Sequence, residues 1–397
     1  MMEFLSVLWF FLIFVLIAGY FVLDGFDLGI GVLSPFIAKN DEERAVLRRA
    51  IGPVWDGNEV WLLTAGGALF AAFPDAYATT FSGFYLAVML VLFGLIVRAV
   101  SFEFRAGDPS WGKLWDACFF VGSLLPALLL GVAVGNIFAG IPMDAAGDYA
   151  GVPLIGLITP FTLLTGLLGL AMFLAAGACW AALKAPLPSC LQVRAARLRL
   201  PLQVIALVLF AVVSVYALVL VGPEMDPNLG ILRWLFAALV VVGLLASLVV
   251  GKTSGDDLKA FLAQSASMIA LVALLACSMF PVLVNATADS VGPAITLANA
   301  ASSELSLTWM TIILCIGLPL VLVYHVVIYR TFRGRVNPPI WRSTSLFRGI
   351  YRGVAGCSLA WAEVSAIMFL GEGAARCPGL VSLALVGGDV SSGEVPP

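Results

Sequence analysis

A chain of 397 residues that is 61% hydrophobic and only 11% charged cannot cover a globular surface with ionised groups, since soluble domains run at about 45–50% apolar and about 25% charged. The mean hydropathy of +1.05 points to lipid as the main solvent and argues against a soluble enzyme, a nucleic-acid binder or a disordered chain. The net charge of −3 decides little, because in a membrane the position of charge outweighs its sum.

A hydrocarbon core about 30 Å thick needs about 20 apolar residues of helix. Nine runs meet that need, near 4–37, 51–73, 76–104, 114–138, 156–183, 200–222, 231–251, 260–284 and 306–329. The first lacks the early basic residues and clear cleavage site of a signal peptide and stays apolar for too long. Sixteen Lys and Arg residues fall in or beside the loops after runs one, three, five, seven and nine. The loops after runs two, four, six and eight hold one, Arg233. This alternation supports nine transmembrane helices, with the N-terminus outside and residue 335 cytoplasmic. Residues 1–335 read as one all-α integral membrane domain. Residues 336–397 read as an atypical tail, disordered or interfacial, whose apolar run Val354–Leu370 is interrupted by Glu363. The seven cysteines form no CxxC pair and read as small buried hydrophobes.

Ionisable groups inside membrane helices cost roughly 2.5–3.5 kcal/mol each on insertion scales, and they face the bundle interior, a water path or a partner. This chain concentrates them in its first third: Asp24 and Asp27 in run one, Asp56 and Glu59 in run two, Arg98 and Glu103 in run three, and Asp116 in run four. Asp24 and Asp27 are three apart and share a helix face, and Asp56 and Glu59 repeat the spacing. Asp24 lies about 30 Å down a helix that starts outside, so all seven groups fall at one depth, near the cytoplasmic side. One reading is a proton uptake path. The other is ion pairs and caps that fix packing, with Arg98 pairing Glu103 or an Asp and Asp116 capping its helix. Spacing alone leaves both open. Asp24 and Asp27 fit the packing reading least, as no basic residue lies near them in sequence. Glycines 25, 29, 31, 66 and 67 suit close helix packing. Trp55, Trp61, Phe70, Phe73 and Tyr77 suit core, aromatic belt or a partner surface. The single histidine, His325, suits a hydrogen-bonded packing role, and one His argues against several haems or a multi-histidine metal centre held by this chain alone.

The runs GYFVLDGFDLGIG (19–31), IGPVWDGNEVWLLTAGGALFAAFPDAYATTFSGFYLA (51–87), LIVRAVSFEFR (95–105) and LWDACFFVGSLLPALLLGVAVGN (114–136) resemble subunit II of the cytochrome bd-type quinol oxidases. The resemblance covers about 1–335 and is most specific over the first 136 residues. It implies two four-helix bundles plus one peripheral helix. It implies a partner, subunit I, that carries haems b and d, the quinol site and oxygen reduction, with catalysis in that partner. It also implies a proton route lined by Asp56, with Trp61, Asp24 and Asp27 at matching family positions and Glu59 where some members have Gln. Arg98, Glu103 and Asp116 would form a supporting charge network. Some members hold a structural quinone in this subunit, and a small accessory subunit joins some complexes. Rival readings are a secondary transporter with buried carboxylates and a purely structural assembly subunit. The carboxylates lie near one face, and no matched pair of broken helices is evident, which disfavours the transporter.

Overall fold

The computed structural model describes residues 1–107, 110–222, 225–253 and 255–336. Helix α1 (Met2–Ile37) fills the first expected run, α2 (Asp41–Ile51) follows, and α3 (Trp55–Ala72) fills the second. The third run divides into α4 (Pro74–Gly83) and α5 (Tyr85–Gly107). Then come α6 (Gly112–Ala139), α7 (Pro160–Lys184), α8 (Cys190–Tyr216), α9 (Gly230–Thr253) and α10 (Asp257–Met279). A short antiparallel pair, β1 (Val282–Val284) with β2 (Ile295–Thr296), and the single-turn α11 (Leu297–Ala300) lead into α12 (Glu304–Thr331). Beyond Val336 the expected tail lies outside the described residues.

Among the described residues, eight helices are long and apolar enough to cross a membrane. The exception among the expected runs is α3, whose first turns carry Asp56, Asn58 and Glu59 and so lower its hydropathy. Other departures have local causes. Helix α2 was expected as loop because it is charged. Asn40 caps it by accepting from Glu43 N at 2.8 Å. Asp41, Glu42 and Glu43 fill its first turn and Arg48 and Arg49 its last, matching the helix dipole. Its apolar side, Val46, Leu47, Ala50 and Ile51, is buried. Pro74 opens α4 at a first-turn position that needs no backbone donor. Ser189 caps α8 ten residues before the expected start, which puts Arg194, Arg197 and Arg199 on a helix rather than a loop.

The loops gather into two layers. In one, Arg105 in the last turn of α5 pairs with Asp41 of α2 at 2.9 Å, and Arg194 of α8 pairs with Glu43 at 2.5 Å. Arg335 after α12 pairs with Asp257 at the start of α10 at 2.9 Å. In the other layer, the β pair meets the loop after α6 at an Ile141–Ala286 bridge. There Ser302 N donates to Ala72 O at the end of α3 at 2.9 Å. Helix α3 therefore runs from one layer to the other.

Helix α1 is the central post: Asp24 to Ser34 are buried without interruption. It packs against α3, α6, α7 and α10. Lipid supplies no hydrophobic force between helices, so close backbone approach matters. A Cβ on Gly177 of α7 would stand 2.6 Å from Gly29 C of α1. A Cβ on Gly122 of α6 would stand 2.7 Å from Arg98 N of α5. Glycines 66 and 67 do not serve that purpose within this chain: Gly67 has nothing within 4 Å and Gly66 only the Phe81 ring at 3.8 Å.

Candidate functional site

The face of α1 that presents Tyr20, Asp24 and Asp27 repeats every three or four residues, so the three groups stack along one side of the helix. Arg98 reaches this face from α5, and Asn58 and Glu59 reach it from α3. Arg98 Nη2 donates to Asp24 Oδ1 at 2.7 Å, with both side chains fully enclosed (2% and 0% exposed). The same nitrogen lies 3.0 Å from Glu59 Oε1. Asn58 Nδ2 donates to Asp27 Oδ2 at 2.7 Å and to Leu23 O at 3.0 Å. The Tyr329 hydroxyl of α12 donates to Asn58 Oδ1 at 3.1 Å. Asp24 Oδ2, Asp27 Oδ1 and Arg98 Nη1 are buried without a hydrogen-bond partner among the described residues. In a low-dielectric interior such atoms call for water or a mobile proton.

Three expectations are corrected here, and one open choice is settled. Asp24, which the sequence offered as least suited to ion pairing, is the main partner of Arg98. Of the two partners expected for Arg98, Glu103 or an Asp, it takes the Asp, because five residues place Glu103 about 140° around α5, and Glu103 is exposed. Arg98, Glu103 and Asp116 form no single network, since Asp116 belongs to the loop layer. There it receives Arg48 at 2.9 Å, Arg105 at 3.1 Å and Arg44 at 3.5 Å. The cap of α6 is not Asp116 either, as Trp111 holds that position. Burial lowers the Arg48 pKa from its ordinary value, and Asp116 opposes the shift.

Asp56 is exposed in the first turn of α3. It heads a stripe of exposed residues, Val60, Leu63, Gly67 and Phe70, at helical spacing. Glu59 sits between this surface and the buried cluster, with its side chain 23% exposed. Trp61 points elsewhere: its Nε1 donates to His325 Nε2 at 3.1 Å, and His325 Nδ1 faces Val321 O at 2.9 Å. The Nδ1–H tautomer satisfies both contacts, so each ring nitrogen is engaged. Of the weighed aromatic residues, Trp61 and Phe73 are buried, while Phe70 is exposed and meets Tyr77 edge-on. Among the described cysteines, Cys179 and Cys277 are buried, but Cys315 is exposed on α12.

The residues that sequence reasoning passed over are Asn58, Tyr20 and Tyr329. A polar Asn inside an apolar helix was a usable signal for the first. A second buried cluster was missed as well. Asp257 pairs with Arg199 and Arg335, and Gln203 Nε2 donates to Ser247 Oγ at 2.5 Å. Gln203, polar and fully buried in a largely apolar helix, was its signal. Among the described residues, no group of three or more His, Cys, Asp or Glu side chains is arranged to hold a metal ion.

Long apolar helices around an enclosed guanidinium–carboxyl cluster define a polytopic α-helical membrane protein. The chain belongs to the family described as cytochrome bd terminal oxidase subunit II, which matches residues 5–332. It is 34% identical over 367 residues to the cytochrome bd-I ubiquinol oxidase subunit 2 of Escherichia coli K12, covering 84% of this chain and 96% of that one. It is 35% identical over 339 residues to the cytochrome bd ubiquinol oxidase subunit 2 of Bacillus subtilis, covering 83% and 96%. The fold is similar to a chain of the bd oxidase structure from Geobacillus thermodenitrificans, with a TM-score of 0.68 at 16% identity, covering 83% of this chain and 98% of that one. The family is a subunit of a haem-containing respiratory oxidoreductase, integral to the inner membrane, which implies a subunit I partner.

Proposed function

We propose that this chain supports the haem-bearing subunit I of a quinol:oxygen oxidoreductase and supplies a proton route from the cytoplasm to its oxygen-reducing site. Two quinols give four electrons and four protons, and oxygen takes four electrons and four protons to yield two waters. Quinol protons leave outside while the protons for water enter from the cytoplasm, so charge separates without a pump. Haems b and d in subunit I supply the electron transfer. In this chain both ring nitrogens of the one histidine, His325, are engaged, which supports placing the haems in the partner.

The observation that carries the reading is the sequence of groups from surface to core. Asp56 is exposed, Glu59 is half-buried, and Arg98, Asp24 and Asp27 are enclosed. One guanidinium meets two carboxyl groups, Asp24 and Glu59, while Asp27 is held by Asn58 beside them, and several of their polar atoms have no hydrogen-bond partner among the described residues. Such a cluster can exchange a proton at little structural cost. The exposed stripe from Asp56 to Phe70 is the face that would dock subunit I, placing Asp56 and Glu59 at the subunit boundary. A cation transporter is disfavoured because Arg98 already occupies the centre of the carboxylates.

The topology belongs to the same proposal. Nine spans comprise α3 and the eight longer helices, in bundles of α1, α3, α5, α6 and of α7 to α10, with α12 peripheral. The basic loop layer is cytoplasmic and the N-terminus is outside. A structural quinone has a cavity of fitting character, about 350 Å³ and almost wholly apolar, between α1, α6, α7, α8, α9 and α10, with Arg233 and Trp234 on its wall. A small accessory subunit would find room on exposed α12. The test is Asp56→Asn in the purified complex. Impaired oxygen reduction with haems retained is expected, and normal turnover with normal proton uptake would remove the assigned role.

A further inference from the structure

The basic loop layer contains an open cavity of about 340 Å³ lined by α2, the end of α7, the end of α12 and residues 332–336. Four of its lining residues are basic, Arg49, Lys184, Arg333 and Arg335, and none is acidic. Two of the four are engaged. Lys184 Nζ donates to Phe332 O at 2.7 Å. Arg335 donates to Ala182 O and Ala185 O, each at 2.8 Å, and pairs Asp257. Asp257 is already shared with Arg199, so one positive charge is left over there. Arg49 and Arg333 have no ion-pair partner among the described residues. By contrast, Arg98 meets Asp24 and Glu59, and Arg44, Arg48 and Arg105 each meet Asp116 or Asp41, whereas no acidic residue lines this cavity and two of its arginines are left without a carboxylate among the described residues.

Its apolar walls include Ala50, Pro53, Val54, Trp180 and Val336, with Tyr329 and Thr331 also on the lining. The cavity sits where α7 and α12 end, beside the amphipathic α2, which is the depth of lipid headgroups. We propose that it binds the headgroup of an anionic phospholipid, with Arg49 and Arg333 on the phosphate and the apolar wall against the glycerol and first acyl carbons. Arginine forks suit phosphate oxygens, and basic pockets between membrane helices suit anionic headgroups. The site is separate from the Asp24–Arg98 cluster, and the proposal does not depend on the proton route.

The test uses the purified complex stripped of lipid in detergent. Thermal stability and native mass spectra are recorded after adding phosphatidylglycerol, phosphatidylcholine of the same acyl chains, or inorganic phosphate. Phosphatidylglycerol should stabilise and stay bound, and Arg49→Gln with Arg333→Gln should weaken its retention about tenfold or more. Lys113→Gln, exposed and outside both cavities, should leave retention unchanged. Equal retention by the wild type and the double variant overturns the proposal, as does equal stabilisation by inorganic phosphate alone. If the double variant fails to assemble, the wild type decides. Phosphatidylglycerol exceeding phosphatidylcholine supports the site, and equal effects overturn it.

Discussion

Asp24 and Arg98 are 74 positions apart in sequence and 2.7 Å apart in the fold. Breaking a buried pair strands a charge in low dielectric and costs about 3–5 kcal/mol. Asp24→Asn and Arg98→Gln should each lower the melting temperature and haem retention of the complex. The double variant should be less damaged than the sum of the two, giving a coupling of about 1 kcal/mol or more in a double-mutant cycle. Additive losses would show that the pair does not act as a unit. Asp56 differs, being exposed and without an ion pair among the described residues. Its substitution by Asn should change stability by only about 0.5 kcal/mol, so any loss of turnover there reports chemistry rather than folding. The sequence made the helix-face spacing of Asp24 and Asp27 legible. It left open which carboxylate meets Arg98, because that depends on the rotation of α5 against α1. The partner of His325 was likewise invisible, since Trp61 comes to it from a helix 264 positions away.

At the scale of elements, hydrophobic runs marked the long helices well, because lipid tolerates little else. The helices that were missed or misjudged obey other rules. Helix α2 rests on a cap, a dipole match and one apolar side, and α8 extends into a charged stretch behind its Ser189 cap. Contact glycines mark where elements meet. Gly122→Ala would push a methyl group into the backbone at Arg98, and overpacking of this kind costs about 1–3 kcal/mol. A matching fall in thermal stability is expected. Gly67→Ala meets open space and should leave the stability of the isolated subunit the same or slightly higher. If both variants behave alike, the packing assigned to α5 and α6 is wrong.

At the scale of the whole molecule, the five basic loop regions converge on one layer through ion pairs, as the charge alternation anticipated. The outward stripe of α3 was not legible, because a partner-facing surface and a lipid-facing surface are both apolar. Gly67→Leu on that stripe should weaken association with subunit I while this chain still inserts and folds, as read by co-purification. The proposed orientation has its own check in a cysteine-free background. Val291→Cys, 80% exposed in the loop layer of the β pair, should react with an impermeant maleimide on intact cells. Arg333→Cys should react only after lysis, and the reverse pattern would invert the topology. The central claim is that the Asp56–Glu59 end of α3 delivers protons to the partner's oxygen site. Its most direct measurement is proton uptake during a single turnover with oxygen, in complexes carrying Asp56→Asn or Glu59→Gln. Uptake slowed about tenfold or more, with haem content unchanged, is expected. Uptake at the wild-type rate, with full haem content, would contradict it.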